Sequence, residues 1–138
     1  MRQERNQGSW TKNGGTRPHH NNEVWGLAKH FTVHIYQITN KFPDHEKFGL
    51  VSQLRRAAVS IPSNIAKEKA RQSDPDFLRF LMMARGSAEE ISTQMEIAEE
   101  IGYLDHIDVT EARNTFDRMG RALAGLIRTV RSDINTSN

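Results

Sequence analysis

Residues 42–66, FPDHEKFGLVSQLRRAAVSIPSNIA, decide how this chain reads. Phe48, Val51, Leu54, Ala58, Ile61 and Ile65 recur every three or four positions, the period that gathers apolar side chains on one face of an α-helix. The spacing predicts one long amphipathic helix, running from about Asp44 to Arg71. Pro62 stands inside its second half, beside Ser60, Ser63 and Asn64. An interior proline lacks the N–H donor and clashes with the preceding turn, at about 3 kcal/mol. A chain that keeps one there is expected to build a particular kinked helix. Its polar neighbours are expected to satisfy the carbonyls that the proline frees.

Three further helical patterns flank this one. Upstream, Val24, Leu27, Phe31, Ile35, Ile38 and Phe42 form a stripe closed by Pro43, with Asn21 or Asn22 as the expected N-cap. Downstream, Ser73-Asp74-Pro75 opens a helix whose stripe is Phe77, Leu81, Ala84, Ala88, Ile91, Met95, Ala98 and Ile101. After a turn at Gly102–Asp105, a fourth helix from about Asp108 carries Val109, Ala112, Phe116, Met119, Leu123, Leu126, Val130 and Ile134. No strand pattern competes. Four long helices with short links predict an all-α, antiparallel up-down-up-down four-helix bundle with shallow left-handed packing. Ala57-Ala58 and the run Ala84, Gly86, Ser87, Ala88 would let the second and third helices approach closely.

The expected division is a basic, disordered arm over residues 1–22, the bundle over 23–134, and a frayed end over 135–138. The arm is rich in Gly, Asn, Gln, Arg and His and has almost no apolar residue beyond Trp10. A length of 138 residues suits one domain with a real core, and 36% hydrophobic with 26% charged residues suits amphipathic helices. The absence of cysteine excludes disulfides and thiolate metal sites. No apolar run reaches the roughly 20 residues of a membrane span, so a soluble, cytoplasmic protein without a membrane partner is the expectation. The net charge of +2 is unevenly spread: +3 over residues 1–22, +4 over 41–71 and −5 over 72–104. Such asymmetry favours ordered self-association or a polyanionic partner.

Two blocks carry a family resemblance: residues 42–66 and DFLRFLMMARGSAEEISTQMEIAEEIGYL over 76–104. Phe42-Pro43, Gln53-Leu54-Arg55-Arg56-Ala57, Ser60-Ile61-Pro62-Ser63-Asn64-Ile65-Ala66, and Ala84-Arg85-Gly86-Ser87 followed by Glu90 resemble the bacterial four-helix-bundle proteins encoded by intervening sequences in 23S rRNA genes. The similarity covers about residues 23–130. The architecture is also similar to Avd, the accessory protein of reverse transcriptases in diversity-generating retroelements. The resemblance implies a homopentamer of bundles forming a barrel, no enzymatic activity and no cofactor, and association with nucleic acid or a ribonucleoprotein. Where the family continues Asn-Ile-Ala with Glu-Gly, this chain has Lys67-Glu68-Lys69-Ala70-Arg71. Losing that glycine removes a helix stop and enlarges a basic patch.

Candidate binding residues follow from charge and helical geometry. At 100° per residue, Arg113, Arg118, Arg121, Arg128 and Arg131 all project away from the side that holds Ala112, Met119 and Val130. Guanidinium groups on such a face can pair bidentately with phosphates, while Asp117 is placed to neutralise Arg113 and Arg121. The nucleic-acid-binding set is therefore Arg118, Arg121, Arg128 and Arg131, with Lys67, Lys69 and Arg71 at the helix end and Arg2, Arg5, Lys12 and Arg17 in the arm. A structural polar network is expected from Arg55, Arg56, Ser60, Pro62, Ser63, Asn64, Arg85, Ser87 and Glu90, with Arg55 or Arg56 pairing to an acid of the third helix such as Glu89 or Glu90, within or between subunits. Base stacking is not indicated, since no aromatic platform is interleaved with the basic residues.

Catalytic and metal chemistry read weakly. No serine stands in a Gly-x-Ser-x-Gly elbow, and no His or Asp stands at motif spacing from one. His30 and His34 have the i, i+4 spacing of a metal-binding face but no third ligand, and the acids Glu89, Glu90, Glu96, Glu99 and Glu100 lack the Glu-x-x-His pairs of a di-metal bundle. The expected function is a non-enzymatic, homo-oligomeric accessory protein binding RNA or a ribonucleoprotein. The alternatives are an Avd-like subunit bound to a reverse transcriptase and its template RNA, and an oligomeric scaffold with protein partners only. A neighbouring reverse-transcriptase gene would single out the former.

Overall fold

The computed structural model describes residues 19–136. Four α-helices account for most of them: α1 (His19–Thr39), α2 (Leu50–Ala66), α3 (Asp74–Ile101) and α4 (His106–Thr136). Each helix packs on its neighbours in the chain, α4 closes back on α1, and the backbones of the diagonal pairs stay apart. Cross-contacts run in opposite order along each pair, as in Tyr36 with Arg55 and Thr32 with Ala58 between α1 and α2. The same holds for Gln53 with Gln94 and Ser60 with Ser87 between α2 and α3. Neighbouring helices are thus antiparallel, and no strand occurs among the described residues.

The boundaries depart from the sequence pattern at several places. Helix α1 begins at His19, so Asn21 lies inside it, buried at 3% exposure, and neither Asn21 nor Asn22 is an N-cap. It stops at Thr39, and Phe42 reaches the core from beyond the helix, 5.2 Å from the Tyr103 ring. Residues 42–66 are not one helix. A 3-10 turn at Asp44–Glu46 follows Pro43, and α2 starts only after Gly49. Glu46 explains the break: its Oε1 accepts from the Leu50 N–H at 3.2 Å and its Oε2 from the Tyr103 hydroxyl at 2.8 Å. A Cβ at Gly49 would lie 2.8 Å from that Oε1, so any other residue there would push the carboxylate aside. Phe48 consequently falls outside the α2 stripe and is 90% exposed.

The remaining helix ends follow their local chemistry. The chain runs past Ala66 as a 3-10 turn at Lys67–Ala70, in the place where the family's glycine would stop the helix. Ser73 caps α3 by accepting from the Asp76 N–H, Pro75 sits in the first turn, and Gly102 ends it in the left-handed region at φ 97°. Asp105 caps α4 by accepting from the Asp108 N–H at 2.8 Å. Helix α4 extends to Thr136, so Asn135 and Thr136 are helical.

Phe31, Ile35, Leu54, Ile61, Leu81, Ile91, Met119 and Leu123 fill the core with at most 2% exposure. Of the small residues expected to bring α2 and α3 together, Ala57, Ala58, Ala84 and Ala88 are buried and Ser87 meets Ser60 across the pair, whereas Gly86 is exposed with nothing within 4 Å of where a Cβ would stand. Ile101, by contrast, is 54% exposed at the end of its stripe.

Pro62 lies buried within α2, which continues through it. The carbonyl that it deprives of a donor belongs to Ala58, four residues earlier. That oxygen accepts from the Thr32 hydroxyl of α1 at 2.9 Å. The compensation thus comes from a neighbouring helix, not from the serines and asparagine beside the proline. No helix among the described residues is long and apolar enough to cross a membrane.

Candidate nucleic-acid interface

Helix α4 presents Arg118, Arg121, Arg128 and Arg131 to solvent. At 1.5 Å rise per residue these four span about 20 Å of one rigid rod. None of them lies within ion-pair distance of an acid among the described residues; Arg131 rests on Met82 Sδ at 3.6 Å. Arg113 behaves differently. It pairs with Glu99 of α3 at 3.0 Å, and Asp117 neutralises neither Arg113 nor Arg121. Core packing fixes this division, since Met119, Leu123, Leu126, Ile127 and Val130 point inward and leave the opposite face to the arginines.

The cations after α2 are more engaged. Arg71 lies 3.5 Å from both Glu68 and Asp74 and packs over Phe77. Lys67 and Arg79 approach the Phe80 ring at 4.8 and 4.4 Å. Arg79 also pairs with Asp76, and this hydrogen bond, with the Gln72 N–H, holds the Asp76 carboxyl below its ordinary value. Lys67 and Lys69 remain exposed, whereas Arg71 is tied into the α2–α3 connection. Arg2, Arg5, Lys12 and Arg17 lie outside the described residues.

The bundle sorts charge along its length. Because the helices alternate in direction, residues 19–30, 61–86 and 121–136 share one half, and residues 31–60 and 87–120 the other. The first half carries nine Lys/Arg against five acids, the second six against eleven. Arg121, Arg128, Arg131, Lys67 and Lys69 belong to the basic half, which also contains the point where residues 1–18 join the bundle.

The expected polar network divides into three parts. Ser60, Asn64 and Ser87 meet between α2 and α3. Ser87 donates to Ser60 Oγ at 2.9 Å, and Asn64 Nδ2 donates to the Ser60 carbonyl at 2.9 Å. Arg55 turns the other way and pairs with no acid of α3. Its guanidinium donates to the Tyr36 carbonyl, Thr39 Oγ1 and Asn40 Oδ1, and stacks over the Tyr36 ring at 4.5 Å. It therefore clamps the last turn of α1, adding a charged donor to a Tyr36 carbonyl that already accepts from the Asn40 N–H at 3.2 Å. Arg56, Ser63, Arg85 and Glu90 are exposed and take no part in the network. The Arg55–Arg56 pairing with Glu89 or Glu90 does not form within one chain.

Two polar contacts escaped sequence reasoning. Lys41 pairs with Asp108, which is 7% exposed, at 3.0 Å and joins the end of α1 to the start of α4. His34 Nδ1 meets Thr115 Oγ1 at 3.0 Å, and burial lowers its pKa while Glu111, 3.8 Å from Nε2, works against that. His30 is exposed and stands apart from this contact. Among the described residues no group of three or more His, Asp or Glu is placed to hold a metal. The five α3 glutamates all face solvent.

A search of curated proteins returned no match. The crystal structure of a protein with unknown function from the S23 ribosomal protein family of Bacteroides thetaiotaomicron superposes with a TM-score of 0.72. It is 24% identical, and the alignment covers 79% of this chain and 98% of that one, a likeness of fold. The profile of the 23S rRNA-intervening sequence proteins matches residues 20–125, the span that holds all four helices except the last turns of α4. On that match, the chain belongs to the 23S rRNA-intervening sequence protein family.

Proposed function

We propose that this chain is a non-enzymatic, self-associating accessory protein that holds RNA, alone or in a ribonucleoprotein, by its phosphates. The observation that supports it best is the row of four exposed α4 arginines with no acidic partner among the described residues. Charges that build a fold are paired; these four are available to an anion. Lys67 and Lys69 extend the row around the basic half of the bundle. Arginine forks meet phosphate bidentately, and each neutralised phosphate releases condensed counterions. The mechanism is therefore sequence-independent and multivalent, each copy adding a weak patch that assembly repeats.

The test is a binding titration of a fluorescent ribosomal RNA fragment at several salt concentrations, with the wild type and the Arg128→Glu/Arg131→Glu variant. The wild type should lose affinity steeply with salt, and the variant should bind more weakly with a shallower slope. Binding indifferent to salt refutes the reading. The exposed glutamates of α3 support a second reading, a scaffold for basic protein partners. Protein purified at low salt and free of nucleic acid, with α3 charge reversals that abolish assembly, would favour it.

A further inference from the structure

An aromatic side chain held in solvent and an open apolar socket with an acidic rim occur on different sides of this bundle. Phe48 is 90% exposed, the most exposed of the large apolar residues among those described. It is also held firmly. Glu46 ties its segment to Tyr103 and to the first N–H of α2, and Lys47 and Gly49 flank it in sequence. Between α3 and α4 lies a half-open cavity of about 100 Å3, floored by Phe31, Ile91, Met95, Ala112 and Phe116. Ser92 and Glu96 stand at its rim, both exposed.

We infer that Phe48 of one copy seats in the α3–α4 socket of a second copy, with Lys47 meeting Glu96. The inference rests on the self-association in the proposed function and deepens it by assigning the contact. Size permits it, because an enclosed apolar cavity of about 150 Å3 takes up benzene whole, and this smaller, half-open socket of about 100 Å3 would enclose only part of the ring. Charge favours it. Among the described residues neither Lys47 nor Glu96 has an ion partner, Lys47 Nζ lying 5.6 Å from the centre of the Phe48 ring, whereas Glu99 beside Glu96 is already paired to Arg113. Its exposure shows that Phe48 does not fill its own socket. Knob and socket are different patches, so the contact is heterologous: each copy gives its knob to one neighbour and its socket to another. Such contacts close into rings when the rotation per copy divides a full turn.

Sedimentation velocity with native mass spectrometry tests this on the full chain, using Phe48→Asp and Ser92→Trp. Both positions are exposed, and unchanged helical circular dichroism verifies folding. The wild type should be a multiple of 15.8 kDa, and each variant alone should run as the 15.8 kDa monomer. Mixed in equal amounts, they should give a dimer and nothing larger. Only one knob and one socket then remain intact, the knob of Ser92→Trp and the socket of Phe48→Asp. Lys47→Glu and Glu96→Lys should each weaken assembly at least tenfold, and the double variant should restore it. A wild type that is oligomeric and unaffected by Phe48→Asp overturns the knob and socket but leaves self-association standing. A monomeric wild type overturns both.

Discussion

Replacing Thr32 by valine should expose the cost of the proline in α2. The Thr32 hydroxyl has one hydrogen and two carbonyls within reach, Ala28 at 2.8 Å and Ala58 at 2.9 Å. The Ala28 oxygen has a second donor available in its own helix, the Thr32 backbone N–H. The Ala58 oxygen has no such donor, because residue 62 is proline. Valine keeps the branched shape and removes the hydroxyl, so the loss falls on a carbonyl whose residue is fully buried. An acceptor left unmet in the interior costs about 1–3 kcal/mol. For a domain of this size that lowers Tm by about 3–4 °C per kcal/mol. The informative experiment is the cycle with Pro62→Ala, which returns an N–H opposite the Ala58 carbonyl. In that background Thr32→Val should cost almost nothing, giving a coupling of about 1–2 kcal/mol. Urea unfolding followed by helical circular dichroism, at one protein concentration, measures all four corners. Thr32→Ser, which retains the hydroxyl, should sit near the wild type. Additive effects within about 0.3 kcal/mol would show that Thr32 does not serve the proline.

His34 makes stability depend on pH in a known direction. Burial lowers its folded pKa below 6.5 against the opposing pull of Glu111, so near that pH the unfolded chain holds more protons. The contribution is complete above pH 6.5 and is lost as pH falls toward the folded pKa; His34→Gln should flatten that part of the stability curve, and an unaltered curve would exclude His34 as its source. On the α4 face, Arg121→Gln should lower the salt slope of RNA binding by about 0.7–0.9, the share of one phosphate contact, with no change in the unfolding midpoint.

The helical periods placed the four helices because burial alone imposes that spacing, and Phe31, Leu54, Leu81 and Met119 sit where the pattern puts them. The register failed where side chains override it. Phe48 has the right spacing for the α2 stripe, yet the Glu46 carboxylate and Gly49 break the helix before Leu50. That break depends on Tyr103, fifty-seven residues from Glu46, and no local period reports it. The outward projection of the α4 arginines was legible, since it follows from 100° per residue. Their freedom from acids was not, because it needed the finding that Arg113 takes Glu99 and Asp117 takes none of them. The partners that Arg55 takes within the chain were hidden for a similar reason. Charge pointed one of Arg55 and Arg56 to the acids of α3, whereas within the chain Arg55 meets the neutral oxygens of Tyr36, Thr39 and Asn40 at the end of α1. The donor for Ala58 was unreadable in the sequence, because Thr32 looks like any polar residue on a helix until α1 and α2 are in register.

The α4 face and the proposed knob and socket use different parts of the surface, and that separation has a consequence. A cyclic assembly keeps every copy in the same orientation along its axis. With the bundle axes along the ring axis, the sorted charge of one bundle would be repeated in register, bringing the basic halves together on one side of the ring. Each copy contributes few phosphate contacts, so affinity would come from several copies engaging one RNA. Phe48→Asp removes no cation and lies in the acidic half of the molecule, remote in register from Arg128 and Arg131. It should nevertheless weaken RNA binding at least tenfold and bring the salt slope down to that of a single subunit. A monomeric Phe48→Asp that binds RNA as tightly as the wild type, at the same salt, would show that one α4 face suffices and that assembly serves another purpose.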